Sequence, residues 1–229
     1  MGFLKYVKEE FEIIKERDPA IKTPMEVFLY PSFQVMLSYR RAHKLYESGH
    51  YFWARWISQR AKRRTGIEIH PGAKIGKGLF IDHGSGVIIG ETAIIGDNCT
   101  LYQGVTLGGT GKETGKRHPT LGNNVMVSAG AKILGSFTIG DNAKIGAGSV
   151  VIEEVPPNCT VVGVPGHVVK RCPEDHPCEE LDQIHLPDPV KEDISVLQRE
   201  NSELTNRVID LENQLREILR KREKENENI

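Results

Sequence analysis

One aliphatic residue returns every six positions through the middle of this chain, and no other feature constrains the fold as strongly. A glycine often follows this residue directly, and a small residue such as Ala73 or Ala131 often lies two places before it. A short fixed period with one aliphatic residue per unit is typical of a parallel β-helix, in which stacked coils share a continuous core. Three units of six would make one coil of 18 residues. The repeat comprises Ile69, Ile75, Ile81, Ile89, Ile95, Leu101, Leu107, Leu121, Val127, Ile133, Ile139, Ile145 and Val151.

The phase of the repeat is broken at two places only. Two additional residues separate Ile81 from Ile89, and eight additional residues separate Leu107 from Leu121. A strict repeat gains residues only where an excursion from the coil is tolerated or used. We therefore expect the functional side chains at these two breaks.

Residues 1–66 read as a helical domain. The predicted helices are one from Phe3 that is stopped by Asp18-Pro19, one from about Thr23-Pro24, one over 31–48 that ends at Gly49, and one over 51–64. This block is too small for an independent enzyme, and we interpret it as a cap on the β-helix and an oligomerisation surface. Residues 67–170 form the predicted β-helix catalytic domain with its closing strand.

The C-terminal part differs in kind. Residues 171–189 form a linker rich in proline and acidic residues, and 190–222 carry a heptad repeat that predicts a coiled-coil helix. Branched residues at position a with leucine at d favour two strands, whereas a trimeric body would favour three, and the sequence leaves both open. Position a holds Ile194, Asn201, Val208 and Leu215, and position d holds Val190, Leu197, Leu204, Leu211 and Ile218. Residues 223–229 form a charged tail.

Composition excludes several classes of protein. A formal net charge of −1 gives no electrostatic reason to expect nucleic acid or an anionic membrane as a partner. No apolar run approaches the roughly 20 residues that span a bilayer, and the start of the chain does not resemble a secretory signal. Four irregularly spaced cysteines do not make a disulfide framework, so we expect a cytoplasmic protein.

The first break, at residues 82–87, contains a candidate general base. Two additional residues would lift His83 off the regular wall, and an imidazole has its unperturbed pKa near working pH. Glu68 lies 15 residues earlier, close to one coil of 18 once the bulge is allowed for. We therefore predict that Glu68 lies beside His83 and that its carboxylate orients the imidazole.

The second break, at residues 108–119, is a predicted loop with many hydrogen-bond donors. Arg117 suits a bidentate grip on a carboxylate, and Asp82 in the first break can pair with an ammonium group. Acylation of the hydroxyl of a zwitterionic amino acid needs such a site, with an arginine, an aspartate and a histidine base. The glycines lack the spacing of a phosphate-binding P-loop.

These residues and their neighbours resemble the bacterial serine O-acetyltransferases, a family of the hexapeptide-repeat acyltransferase superfamily. The resemblance is carried by the segments 82–86, 90–93, 103–112, 117–119 and 163–166. It implies a mainly β protein, a left-handed parallel β-helix with an N-terminal α-helical cap, and a trimer, often paired into a hexamer, with active sites between subunits. It also implies acetyl transfer from acetyl-CoA to L-serine, the first step of cysteine biosynthesis.

The resemblance implies a role for each matching residue. His83 would be the general base, with Glu68 in the place where the family often has aspartate. Asp18, Asp82, Arg117 and His118 would hold serine, or cysteine as an inhibitor. Acetyl-CoA would lie against Gly108, Ala129 and Lys144. Attack would be direct, with neither an acyl-enzyme nor a metal. The short N-terminal region departs from the longer family members and puts the hexamer in doubt.

The end of the chain carries a second resemblance. In this family a C-terminal isoleucine inserts into the active site of O-acetylserine sulfhydrylase. Asn226, Asn228 and Ile229 look like that ligand, and the preceding heptads, which the family normally lacks, would hold it away from the body.

Three alternative functions remain open at this stage. One is another O-acetyltransferase of the same fold that acts on a sugar or xenobiotic, against which Arg117 beside His118 argues. A second is a zinc enzyme, either of the γ-carbonic anhydrase type, which needs a third histidine that Gly122 and Asn123 do not supply, or one built on the cysteines and histidines of 172–185. The third is a non-catalytic β-helix scaffold.

Overall fold

The computed structural model describes residues 3–111, 114–171 and 189–227. Contacts within the chain divide it into two compact units, Met1–Pro187 and Asp188–Ile229.

The first unit begins with the four predicted helical segments. They are α1 (Phe3–Arg17), a 3₁₀ helix (Pro24–Leu29), α2 (Pro31–Glu47) and α3 (Tyr51–Thr65). The second segment is thus a 3₁₀ helix, opened by a capping box in which Thr23 and Glu26 bond each other's side chains and backbone. Helix α2 is followed by Gly49, which has positive φ and is the stop that the sequence predicted, and α3 is followed by Gly66, which also has positive φ.

The body of the first unit is a stack of short parallel strands arranged as three sheets. The sheet orders are β1-β4-β7-β10-β13, β2-β5-β8-β11 and β3-β6-β9-β12-β14-β15, and only β15 is antiparallel to its neighbour. The strands are β1 Glu68–Ile69, β2 Lys74–Ile75, β3 Phe80–Ile81, β4 Ile88–Ile89, β5 Ile94–Ile95, β6 Thr100–Leu101, β7 Thr106–Gly108, β8 Thr120–Leu121, β9 Met126–Val127, β10 Lys132–Leu134, β11 Thr138–Ile139, β12 Lys144–Ile145, β13 Val150–Val151, β14 Cys159–Val162 and β15 His167–Arg171.

The residues of the six-residue repeat form the core of this prism. All of them are buried, and none has more than 8 % of its surface exposed. For most of these residues, the residue two positions earlier in the sequence is buried as well. The two phase breaks leave the strands in register: Ile69 pairs with Ile89, and Leu107 pairs with Ile133. The additional residues are therefore expelled at the corners, which confirms the prediction that the breaks are excursions from a regular prism.

The helices α2 and α3 cover the open end of the prism. Residues such as Glu68, His70 and Lys74 in the first coil donate their N–H groups to the second coil, whereas the carbonyl groups of the alternate residues Ile69, Ala73 and Ile75 face the end of the stack. Side chains of the two helices bind these carbonyls, and an edge that would otherwise be free to pair with another chain is closed. The contacts are Ser58 Oγ to Ile69 O (2.6 Å), Tyr39 Oη to Ala73 O (2.7 Å), and Arg40 to Ile75 O (2.8 Å) and Gly76 O (2.7 Å).

The second unit contains one helix, α4, over Pro189–Glu227. It extends five residues past the predicted end of the coiled coil, so Asn226 is helical. The predicted core residues from Ile194 to Leu215 are exposed along its surface. Asn228 and Ile229, which the sequence analysis assigned to partner binding, lie outside the described residues.

Candidate active site

His83 lies at the tip of a tight turn on the corner between β3 and β4. The N–H of Gly84 donates to the carbonyl of Asp82 over 2.6 Å, and the central His83 has φ of 55°. A non-glycine residue in the left-handed region is strained and is found preferentially at functional sites. The His83 side chain is 74 % exposed, with its Nε2 atom 3.9 Å from the Asp82 carboxylate. The predicted lifting of His83 off the wall is confirmed.

Glu68 is not paired with His83 in the described part of the chain. It lies on β1 opposite Ile88, and its carboxylate is bound by Lys62 at 2.5 Å, with Arg55 at 3.9 Å. The Lys62 hydrogen bond holds the pKa of Glu68 below its ordinary value. The predicted contact between Glu68 and His83 is not present among the described residues, because α3 supplies the cations Lys62 and Arg55 that lie at the Glu68 carboxylate.

Asp18, Asp82 and Lys144 line one groove, although they are far apart in sequence. This groove of about 680 Å³ runs along the outer face of the sheet that contains β3, β6, β9 and β12. Two contacts hold helix α1 beside the groove. Phe80 on β3 packs in one buried cluster with Ile14, Val27 and Phe33 of the helical segments. Arg17 donates a hydrogen bond to Thr100 Oγ1 over 3.1 Å. The lining of the groove comprises Glu16, Arg17, Asp18, Pro19, Phe80, Asp82, Asn98, Thr100, Tyr102, Asn124, Met126 and Lys144.

The carboxylate of Asp18 is fixed in position at one end of this groove. It accepts a hydrogen bond from the N–H of Ala20 over 2.8 Å and another from the hydroxyl of Tyr30. The hydrogen bond to Asp18 is the main reason that the pKa of Tyr30 is raised to about 12, and Asp82 adds to the effect. The two carboxylates of Asp18 and Asp82 therefore line one groove together with the cations of Arg17 and Lys144.

Arg117 and His118 lie together on a different corner, between β7 and β8. The guanidinium of Arg117 bonds the Glu91 carboxylate, which also accepts a hydrogen bond from Tyr46 Oη over 2.9 Å. The Oγ1 atom of Thr92 accepts the N–H groups of Arg117 and His118 over 3.0 and 3.1 Å. The loop is thus anchored on the turn between β4 and β5.

His118 is buried and is held in one tautomer. The N–H of Thr92 donates to its Nδ1 atom over 3.1 Å, so the ring is neutral with its proton on Nε2. Burial lowers the pKa of His118, and the adjacent Arg117 lowers it further. The ring packs so closely on Gly90 that a Cβ atom there would lie 1.9 Å from its Cδ2 atom. His118 can therefore donate a hydrogen bond from Nε2 without acting as a base at neutral pH.

The remaining residues predicted to bind acetyl-CoA lie along the edges of the sheet that contains β7 and β10. Gly108 ends β7 opposite Leu134, and its carbonyl accepts the N–H of Gly135. Ala129 lies on the corner after β9, one coil below Lys144, and its carbonyl accepts the N–H of Gly148 over 2.9 Å. Ala129 and His83 share one edge of the prism, whereas Gly108 shares an edge with Arg117.

Three residues that the sequence analysis did not single out organise these sites. Thr92 and Glu91 hold the Arg117–His118 loop, and Arg17 ties the end of α1 to β6. Glu91 and Thr92 belong to a segment that carried the family resemblance, which was the available signal for them. No cluster of three or more potential metal ligands occurs among residues 3–111, 114–171 and 189–227.

A parallel β-helix with a histidine, carboxylates and an arginine at its corners is typical of the hexapeptide-repeat acyltransferases. Residues 118–153 match the family described as bacterial transferase hexapeptide, six repeats. The β-helix is left-handed.

Comparison with known proteins narrows this class. The chain is 55 % identical to a serine acetyltransferase of Synechococcus elongatus, over 80 % of this chain and 75 % of the relative. It is 52 % identical to that of Staphylococcus aureus strain MSSA476, over 90 % and 96 %. The serine acetyltransferase structure of Neisseria gonorrhoeae matches with a TM-score of 0.71 and 45 % identity, over 74 % and 67 % of the two chains. The chain belongs to the serine acetyltransferase family.

Proposed function

We propose that this chain transfers the acetyl group of acetyl-CoA to the hydroxyl of L-serine in a single direct step. The Nε2 atom of His83 takes the proton of the serine hydroxyl while the hydroxyl oxygen attacks the thioester carbonyl. Collapse of the tetrahedral intermediate breaks the C–S bond, and the imidazolium returns its proton to the departing CoA thiolate. The products are O-acetylserine and CoA, and no acyl-enzyme forms.

Recognition of serine is assigned to groups of opposite charge. Asp18 and Asp82 face one groove and suit the ammonium group, whereas Arg117 and the Nε2–H of His118 suit the carboxylate. These groups lie on different corners of the prism: Asp82 and His83 precede β4, and Arg117 and His118 precede β8. The site is therefore completed between neighbouring chains of a homotrimer, the arrangement that the resemblance implied.

We assign acetyl-CoA to the edge of the prism that also carries His83. Ala129 lies two coils above the His83 corner on the same edge, and Lys144, on the face of the adjoining sheet one coil beyond Met126, offers a cation for a phosphate group. One solved relative, from Brucella abortus strain S19, is a complex with coenzyme A; it is 40 % identical, with a TM-score of 0.71. A Neisseria gonorrhoeae relative was solved in complex with serine.

Glu68 keeps its proposed role as the acid that orients His83. It lies on β1, next to β4, and the corner of His83 leads directly into β4. To orient His83, the Glu68 carboxylate must release Lys62 and bind the imidazole of His83 instead. Glu68→Gln should then lower kcat by about tenfold to a hundredfold with little change in the KM for serine.

The position of His83 carries the proposal: it is an exposed base at the tip of a strained turn, in the first break of an otherwise regular prism. The test is release of CoA from acetyl-CoA with serine, homoserine or a galactoside as acceptor. We compare the wild type with His83→Asn, because asparagine tolerates the left-handed backbone. Serine should be preferred, and the variant should lose at least about a hundredfold in kcat. Preference for the galactoside, or full activity of the variant, would refute the proposal.

Partner binding and cellular location complete the proposal. The tail that ends at Ile229 would bind O-acetylserine sulfhydrylase, so removal of 224–229 should abolish that binding and spare acetyl transfer.

No helix in the described ranges is long and apolar enough to cross a membrane. Cys99 and Cys159 are buried free thiols, which fits the proposed reducing cytoplasm.

A further inference from the structure

The helix α4 has an apolar stripe that nothing in its own compact unit covers. Its core residues at positions a and d are between 48 and 63 % exposed: Ile194, Leu197, Leu204, Val208, Leu211 and Leu215. An isolated helix in water is only marginally stable, and most helices depend on the packing of such a face. A stripe with a period of 3.5 residues fits a helix of the same kind better than it fits a globular surface.

We propose that this stripe is covered by α4 of the other two chains of the trimer, in a parallel, in-register, three-stranded coiled coil. The inference rests on the proposed trimer. In a trimer with closed symmetry, the same rotation relates all three copies of α4, so they run in the same direction at the same height. Residues 172–188 span at most about 60 Å, which keeps the three helices at a local concentration on the order of millimolar. This tethering outweighs the preference of branched a residues for two strands.

Asn201 argues for the parallel register. It occupies position a amid apolar layers, and a buried amide needs a partner for its hydrogen bonds. In parallel helices in register, the Asn201 amides of all copies meet in one layer and can bond one another. An antiparallel arrangement centred on the stripe would set Asn201 against Leu204 or Leu211, depending on its register, and neither leucine offers a hydrogen bond.

The charges beside the stripe agree with this register. Arg207 occupies position g, and Glu212 occupies position e of the following heptad. In a parallel coil these two positions face each other across neighbouring helices, so each interface gains an ion pair of opposite charges. The apolar heptads end at Ile218, so the C-terminal residues beyond it are not part of the proposed core.

Disulfide trapping in the full-length chain tests direction and register. In a background with Cys172→Ser and Cys178→Ser, Asn201→Cys places a thiol at position a, and Asn206→Cys places one at the outward position f as a matched control. Oxidation should join up to two thirds of the Asn201→Cys chains into covalent dimers and leave the Asn206→Cys chains monomeric. Equal cross-linking of both variants, or none in Asn201→Cys, would overturn the proposal.

Charge reversal and truncation test the partner and the number of strands. Arg207→Glu should raise the concentration at which the trimer dissociates, and the double variant Arg207→Glu/Glu212→Arg should restore it. A chain that ends at Pro187 should remain trimeric but dissociate at a concentration about tenfold higher than the full chain. If the full chain is a hexamer and the truncated chain is a trimer, α4 joins two trimers. If the full and truncated chains dissociate at the same concentration, α4 binds something else. Either result overturns the proposal. Release of CoA with serine reports separately on the body.

Discussion

The backbone N–H of Thr92 donates a hydrogen bond to Nδ1 of His118, and this contact fixes the proton of the ring on Nε2. The same threonine accepts the N–H groups of Arg117 and His118 with its hydroxyl oxygen. One small residue on the turn after β4 thus orients both side chains proposed to bind the serine carboxylate. Burial lowers the pKa of His118, which keeps this donor neutral at physiological pH.

Thr92→Val should weaken serine binding. The valine keeps the shape of the side chain but leaves two N–H groups of the loop without their acceptor, at a cost of about 1–3 kcal/mol. We expect the KM for serine to rise by about fivefold to a hundredfold, with a smaller change in the KM for acetyl-CoA. Steady-state kinetics with each substrate varied in turn provide the measurement. Thr92→Ser, which keeps the hydroxyl, is the control, and an equal loss in Thr92→Ser would contradict this role.

Gly90→Ala should displace His118. A Cβ atom at position 90 would lie 1.9 Å from the imidazole, far inside van der Waals contact. The variant should have a lower melting temperature and at least about tenfold lower kcat/KM for serine. Adding His118→Ala removes the clash, so the double variant should recover the melting temperature and stay weakly active. If the double variant melts as low as Gly90→Ala, the collision is not the cause.

The buried carboxyl group of Glu10 in the helical cap makes the stability of the protein depend on pH. It is only 4 % exposed, and burial raises its pKa from 4.5 to about 7, although the charge of Arg40 opposes the shift. Because the pKa in the folded chain is above that of the unfolded chain, its contribution to stability is complete below pH 4.5 and is lost as the pH rises through 7. Glu10→Gln should therefore stabilise the protein at pH 8.5, by up to about 3 kcal/mol, and have little effect at pH 5.

Urea unfolding at the two pH values measures the effect of Glu10→Gln. Glu12→Gln, at an exposed position two residues further along α1, is the matched control and should leave the midpoint unchanged at both. Equal shifts at pH 5 and pH 8.5 would show that Glu10 is not protonated in the folded chain.

The sequence predicted the prism well and the surroundings of its site only in part. A period of six fixes which residues face inward, and the helix stop at Gly49 follows from a local backbone rule, so both features could be predicted. The partner of Glu68 was not accessible. The coil spacing brings Glu68 towards the His83 corner, but only the packing of α3 on β1 shows that Lys62 binds its carboxylate. Contacts that depend on how one element lies on another leave no periodic signal.

The same limit explains why the groove around Asp18 was not predicted as a unit. Asp18 was assigned by resemblance, and nothing in its local sequence shows that it lines the same groove as Asp82. This arrangement depends on Phe80, an outward residue of β3 that packs among the helices beside α1. An apolar residue on the outer face of a strand was the one available hint.

Subunit complementation tests most directly the claim that each active site joins the His83 corner of one chain to the Arg117 corner of its neighbour. His83→Asn and Arg117→Ala should each retain less than about 1 % of the wild-type rate of CoA release at low serine concentration. When the two variants are co-expressed, about a quarter of the sites in randomly mixed trimers combine both intact corners. The account predicts recovery of about a quarter of the wild-type rate. Mixed trimers as inactive as either variant alone would contradict it.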